Sequence, residues 1–510
     1  MSIQGALRPA HQPKLRRGGD VAQRLANRAT LLCLEAATLA GLCLATWWLS
    51  STIISPHWAW AAMLEFAWLC ILCFRIEPKG FALLLPIIVI TRASVVVALT
   101  SIEYGVRLPE LALVGEAGPY TSSYVCIAAI LFASSLAGFR FLMNHLHVSR
   151  TSALTPVFDR FARPISLCVI ALGGLAVLWL LGLGLVRGFP LLLNMDRFLF
   201  RRVFADPLTL NILNCKSIVA CALGLVSFAL PVSRILKTWS NAVFTIFVAV
   251  NFFYGDKFFI MISTASSFFS PYLYLQYKYI LKRLPYLVAI SLLVLLPVSG
   301  ITWFIYSDQG RATVEATSQK LTERFAAQGE LWYLQAKIGA PVVDWRDDIV
   351  AKNIEALSVK QVDLFALRNG IGPAYFMNRY APSKFRAAQM RGGGLITYTM
   401  ALEPLALVMF GWFGLVLTLI VSGFLFAAGA CYLAYAIERR LMPSMIFAGY
   451  LIVMLKSYSA QGAPWVVVSI FTLKWLSVVL VIEMVLSFVG FFQSTTTPRF
   501  RLKSTPRRSC

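Results

Sequence analysis

The chain has 510 residues, 58% of them hydrophobic and only 14% charged, with 46 Lys and Arg against 23 Asp and Glu for a net charge of +23. That balance excludes an ordinary soluble domain and fits a bundle of membrane helices. Much of the positive charge gathers at the ends, in Arg8, Lys14, Arg16, Arg17, Arg24 and Arg28 and again in Arg499, Arg501, Lys503, Arg507 and Arg508. Basic flanks of this kind set topology and touch anionic headgroups, so the charge is explained without nucleic acid as a partner. Nine of the ten cysteines lie in or beside apolar runs, Cys510 ends the tail, and none falls in 307–394. No disulfide framework is implied.

Apolar runs long enough to span a hydrocarbon core as helices begin at once. The first continues without a small-residue cleavage site and reads as a retained span, not a signal peptide. Twelve spans are read, near 29–54, 58–75, 81–101, 122–142, 165–187, 208–230, 240–254, 258–277, 285–306, 411–436, 443–457 and 465–490. The expectation is an all-α, polytopic integral membrane protein of about 12 transmembrane helices with one large outer loop. Its parts are a basic tail (1–28), an N-terminal membrane bundle of about nine spans (29–306), the large loop (307–394), C-terminal membrane helices (395–491) and a second basic tail (492–510). The positive-inside rule agrees: inner loops hold Arg75 and Lys79, then Arg140, Arg150, Arg160 and Arg163, then Arg234 and Lys237, whereas 51–57 holds no Lys or Arg. Both termini are placed inside and the large loop outside.

Several charges oppose this pattern. Arg197, Arg201 and Arg202 fall in the outer loop 188–207, and Arg197 and Arg201 share a helix face at i,i+4 among Phe198, Leu199 and Phe200. Two readings stand: an interfacial anchor at headgroup level, or an anion site for a lipid phosphate. Lys216 lies within the run 208–230, where it either snorkels outward or marks a functional position, the default for an ionisable group at depth. Asp256 and Lys257 sit at a hairpin tip, Tyr254-Gly255-Asp256-Lys257, as a self-paired couple or as a lysine able to donate to a phosphate.

The loop divides in two. A helix is expected over 312–338, ended by Pro341, and a shorter one over 347–358; between them Asp344, Asp347 and Asp348 form the densest acidic patch outside the membrane. From Leu364 to Gly394 come Arg368, Arg379, Lys384, Arg386 and Arg391 with no acid, punctuated by Asn369-Gly370-Ile371-Gly372-Pro373 and Gly392-Gly393-Gly394. A basic, glycine-punctuated strip above a bilayer suits an anionic lipid-linked substrate, or is simply a solvated surface. Glu403 then stands in an apolar run before Pro404, a residue that kinks helices. It could take a proton from a hydroxyl or pair with an outer arginine. The loop has no histidine, and the chain has no HExxH, Cys/His cluster or P-loop, so neither a protein-held metal nor ATP-driven transport is expected.

The many spans, the large loop near the C-terminal third, and Thr397-Tyr398-Thr399-x₃-Glu403 with Gly411-x-x-Gly414 resemble the O-antigen polymerases, the Wzy-type oligosaccharide repeat-unit polymerases of bacteria. Gly188-Phe189-Pro190…Asp196-Arg197 and Tyr254-Gly255-Asp256-Lys257 resemble further stretches of that family, so the likeness covers roughly residues 180–415. The resemblance implies a multi-pass inner-membrane glycosyltransferase that joins undecaprenyl-pyrophosphate-linked repeat units into O-antigen, capsule or exopolysaccharide at the periplasmic face. It implies no nucleotide sugar, metal or cofactor, and it brings a chain-length regulator and a flippase as candidate partners. In that family outer-loop arginines hold the pyrophosphate, which maps onto Arg197 and Arg201, Lys257 and Arg391. With these, Lys216, Arg368 and Tyr398 complete the expected substrate contacts. The expected reaction is an inverting displacement in which the cations stabilise the leaving pyrophosphate and a carboxylate handles the acceptor hydroxyl, Glu403 first and Asp347 of the acidic patch second. A ligase would carry a loop histidine. A flippase or other secondary transporter would show repeated halves and broken helices.

Overall fold

The computed structural model describes residues 17–145, 155–193, 195, 200–201, 203–255, 258–278, 300, 303, 307, 313–338, 348–359, 362–383, 386–387, 400–439, 441–468 and 470–496. The described chain is almost entirely helical, with one two-stranded hairpin in which Arg107–Leu108 pairs antiparallel with Leu113–Val114. Seven helices are long and apolar enough to cross a membrane: Ala29–Thr52, His57–Ile76, Pro78–Glu103, Tyr120–His145, Phe161–Arg187, Arg234–Phe253 and Leu402–Arg439. Pro207–Asn214 and Lys216–Phe228, bent by 58° at Cys215, make an eighth if counted as one span. The protein is thus a membrane-embedded, all-α chain. The helices Phe258–Leu275, Met442–Gln461 and Ile470–Thr496 stand where spans were expected but are not among these eight, and the expected span 285–306 lies almost wholly outside the described residues. Among the described residues, then, the count reached is seven or eight against the twelve read from hydropathy.

The main seam runs between Tyr120–His145 and Leu402–Arg439. Small residues let these helices approach, as is usual where lipid removes the hydrophobic drive between helices. A side chain on Gly423 would collide with Ser134, and one on Gly138 would come within 3.0 Å of the Ala427 methyl. Ala427, Ala430 and Ala434 are fully buried beside them.

Two local breaks shape the site. Pro86 has no N–H to give to its own helix, and the turn widens there into a π-helix over Leu85–Val89, six residues before a buried arginine. In the Leu402–Arg439 helix the break falls at Gly411, with φ 67° and ψ −170°. That region is open in practice to glycine alone. Pro404, by contrast, sits in the first turn, where a missing N–H breaks no helical bond, so the expected kink at Pro404 is displaced seven residues to Gly411. Gly411→Ala is expected to destabilise the protein by about 1–3 kcal/mol, read as a lowered midpoint of thermal unfolding in detergent.

The described parts of the polar segment before Leu402 are also mostly helical. The single helix expected over 312–338 is two, Val314–Ala326 and Glu330–Ile338, split by a turn at residues 327–329. The split has a packing cause: Gly329 lies against Ala98 and Leu99 of the Pro78–Glu103 helix, where a side chain would meet the Leu99 backbone nitrogen at 3.0 Å. The helix expected near 347–358 is Asp348–Glu355, and Val362–Asn369 and Pro373–Tyr380 follow it.

Candidate functional site

Two charges buried among the helices form a pair. Arg92 Nη2 lies 2.6 Å from Glu403 Oε1, with the two side chains 0% and 1% exposed. Arg92 stands in the middle of the Pro78–Glu103 helix and Glu403 in the first turn of Leu402–Arg439. Arg92 Nη1 also donates to Ser459 Oγ at 2.5 Å, to the Ser459 carbonyl at 3.0 Å and to Thr91 Oγ1 at 3.1 Å. The Tyr124 hydroxyl donates to Glu403 Oε1 at 3.4 Å. Glu403 Oε2 and Arg92 Nε have no hydrogen-bond partner among the described residues. Taking two charges out of water is expensive even when they are paired, so a chain retains such a pair at membrane depth for a reason beyond bulk stability.

The backbone assembles this constellation. The Met442–Gln461 helix carries Ser459 and ends at Gly462, whose left-handed φ of 68° stops it. A side chain there would stand 2.7 Å from the Leu402 Cα, and the Ala401 N–H donates to the Ala460 carbonyl at 2.8 Å. The start of one helix and the end of the other are thereby fastened side by side, with Glu403 and Ser459 facing Arg92 from both.

The polar segment docks over this pair. Leu331, Trp332, Tyr333 and Leu334 of Glu330–Ile338 are all buried. Trp332 Nε1 donates to the Tyr120 carbonyl at 3.1 Å, and its ring lies 5.8 Å from Tyr124 and 6.3 Å from Trp412. Contacts therefore run from Trp332 through Tyr124 to Glu403, Arg92 and Ser459. Alongside, Tyr333 packs on Tyr120 at 4.7 Å, and Lys337 pairs with Glu116 at 2.9 Å. A second docking point joins Ala356, Ala366 and Ile371 to Ala463 and Trp465. Gly372, at φ 59°, precedes Pro373–Tyr380 there, and a side chain on it would come within 3.1 Å of the Trp465 ring.

Glu330, at the head of the docked helix, is 1% exposed. Burial, with Glu110 beside it, holds its carboxyl well above the usual carboxylate range. The folded state therefore keeps a proton that the unfolded chain releases above about pH 4.3. That contribution is complete below this pH and is lost as pH rises toward the folded-state value. Glu330→Gln is expected to raise the unfolding midpoint at pH 7–8 and to flatten its fall between pH 5 and 8, measured by scanning fluorimetry across that range.

A second cluster lies on the Phe161–Arg187, Pro207–Phe228 and Arg234–Phe253 side. Phe189 and Phe200 pack on Tyr254 at 5.6 and 5.5 Å, Leu191 N–H donates to the Phe253 carbonyl at 3.1 Å, and the Tyr254 hydroxyl donates to the Leu180 carbonyl at 2.7 Å. The two sequence stretches 188–207 and 254–257 are thus in contact with each other. Asp206 caps the Pro207–Asn214 helix by accepting from the Thr209 N–H at 2.8 Å, which holds its carboxyl below the usual range.

Of the residues singled out by sequence, Glu403 is in the buried pair. Arg201 follows Phe200 in the aromatic cluster, and Lys216 opens the second half of the bent span at partial burial. Arg368 is exposed at the end of Val362–Asn369, and Arg379 lies over Tyr375 and Tyr380 at 5.8 and 5.9 Å. Arg197, Lys257, Asp347, Arg391 and Tyr398 lie outside the described residues. Sequence reading missed Arg92, although a single arginine amid 81–101 carries the same signal that drew attention to Lys216. It also missed Glu330, whose burial depends on a turn that hydropathy does not show. No group of three or more His, Cys, Asp and Glu able to hold a metal occurs among the described residues.

Residues 368–479 match the model of a family of unknown function (DUF6418). The match takes in Arg368 and the basic strip, Glu403, the Gly411 break and Ser459, which is the junction between the docked segment and the membrane helices. No curated protein and no solved structure matches the chain.

Proposed function

We propose that this protein is a membrane glycosyltransferase that polymerises undecaprenyl-pyrophosphate-linked oligosaccharide repeat units at the outer face of a bacterial inner membrane, in a twelve-span topology with both termini cytoplasmic. The observation that carries the proposal is the buried Arg92–Glu403 pair, with the Trp332 helix packed on Tyr124 beside it. A structural scaffold does not require an ion pair at membrane depth, and an enzyme acting at the bilayer surface uses a polar segment seated on its membrane core.

In this mechanism the acceptor hydroxyl oxygen attacks the anomeric carbon of the growing chain's reducing-end sugar. The bond from that carbon to the lipid pyrophosphate breaks with inversion, and the hydroxyl proton passes to a carboxylate. Arg197, Arg201 and Lys257, from the two stretches that meet at Tyr254, hold the pyrophosphate together with Arg391, and Lys216, Arg368 and Tyr398 complete the substrate contacts. Cations fixed where charge develops are the dominant electrostatic help for such a leaving group. Glu403, through Oε2, is the first carboxylate for the acceptor proton. Its 1% exposure requires the packing around it to open before a sugar reaches it. Asp347 is the second.

One observation favours a rival. The helix pair bent by 58° at Cys215 reads as a broken span, a device that transporters use to bind ions and anionic groups. A surface-polysaccharide gel from a strain lacking the protein separates the readings. Collapse of the ladder to core plus one repeat unit is the polymerase result; complete loss, with lipid-linked units accumulating, indicates a flippase or ligase; an unchanged ladder overturns the proposal for that polymer.

A further inference from the structure

An open cleft of about 580 Å³ lies between the hairpin around Arg107–Val114 and the Val314–Ala326 helix. Its volume is in the range of small-molecule sites, ~300–1,000 Å³. The helix wall is made by Glu315, Ser318, Gln319, Thr322 and Glu323. These positions recur at i, i+3, i+4, i+7 and i+8, so they form one continuous face. Thr317, on the opposite face, is buried. A polar helix face ordinarily meets bulk water; this one faces a second protein wall across a gap.

We infer that this cleft is a glycan-binding groove that holds sugar residues of the acceptor unit; the word acceptor rests on the function proposed above, the binding of sugar does not. Sugar hydroxyls both donate and accept, and the walls supply both capacities. Glu315 and Glu323 accept, the Arg107 guanidinium donates, and Gln319, Ser318 and Thr322 do either. Gln319 Nε2 already donates to Glu323 Oε1 at 3.0 Å, which fixes the two side chains relative to each other and leaves the amide oxygen for a ligand. The two carboxylates disfavour an anionic ligand and Arg107 disfavours a purely cationic one, so a neutral polyhydroxyl compound fits the charge pattern. Val106 and Val114, the latter 62% exposed, give apolar surface for the C–H faces of a sugar ring.

The groove is also continuous with the docked segment. The Val114 carbonyl accepts from the Tyr333 hydroxyl at 3.3 Å, one residue from Trp332, whose ring rests on Tyr124. The hairpin wall of the cleft is therefore tied to the helix that carries Trp332.

The test is titration of full-length protein in lipid nanodiscs with the repeat-unit oligosaccharide released from the strain's own lipid carrier by mild acid. Binding is expected in the parent, with Gln319→Ala and Glu323→Ala each weakening it about tenfold or more and Ser318→Trp, which fills the groove, removing it. Lys320→Ala, on the same helix but not on the cleft wall, is expected to keep parental affinity. Absence of binding by the parent, or affinities within twofold of it in all three cleft variants, overturns the inference. The outcomes separate it from the polymerase reading. Sugar binding lost in the cleft variants of a protein that makes no polymer sustains the groove and removes the polymerase. Normal polymer from a Ser318→Trp protein with parental sugar affinity does the reverse.

Discussion

Glu403→Gln and Arg92→Met, made singly, are each expected to destabilise the protein by about 3–5 kcal/mol, because either change leaves the other group a buried charge with no counter-charge. The pair is 0% and 1% exposed and 2.6 Å apart, so neither member can turn to water for compensation. The double variant Arg92→Met/Glu403→Leu is expected to recover most of that loss, since apolar side chains of similar size satisfy the space without leaving a charge behind. Chain extension is expected to be absent in all three. Thermal unfolding in detergent reads the stability, and surface-polysaccharide ladders read the activity. The combination matters: a double variant that regains both stability and polymer would make the pair a packing device with no part in chemistry. Tyr124→Phe, which removes only the hydroxyl 3.4 Å from Glu403, is expected to cost far less than either single change.

Arg201→Ala is expected to lower chain extension by about 10²–10³-fold while leaving the unfolding midpoint within a few degrees of the parent. The reason is placement. Arg201 follows Phe200, which is fully buried against Tyr254, so aromatic packing fixes the backbone from which the arginine extends. Arg201→Lys restores charge without the planar two-pronged donor set and is expected to recover activity only in part. Chain-length distribution and initial rate with lipid-linked units are the readouts. Full activity in both variants would take this cluster out of pyrophosphate binding.

Much of the fold was legible because membrane insertion imposes a simple rule: apolar runs become helices, and their ends carry the polar residues. The helices His57–Ile76 and Tyr120–His145 fall where hydropathy placed them. Hydropathy is silent on breaks set by close packing. The turn at Gly329 depends on a neighbour more than two hundred residues away in sequence, and the Gly411 kink displaced the one expected at Pro404 because a proline in a first turn has no bond to break. The site divides the same way. Glu403 was visible as a carboxylate in an apolar run, and pairing with an arginine was one of its two readings; the arginine is Arg92, from within a span and not from an outer loop. Arg92 is a lone charge amid 81–101, in a helix apolar enough to read as an ordinary span. The contact between 188–207 and 254–257 could not be read from sequence at all, since it depends on Phe189, Phe200 and Tyr254 meeting in space.

The most direct measurement is synthesis by the purified protein alone. Reconstituted in liposomes with undecaprenyl-pyrophosphate-linked repeat units and no nucleotide sugar or metal ion, it is expected to release undecaprenyl pyrophosphate and to build a ladder of longer lipid-linked glycans, a ladder that Glu403→Gln does not make. Movement of intact units across the bilayer with no new glycosidic bond would contradict the account.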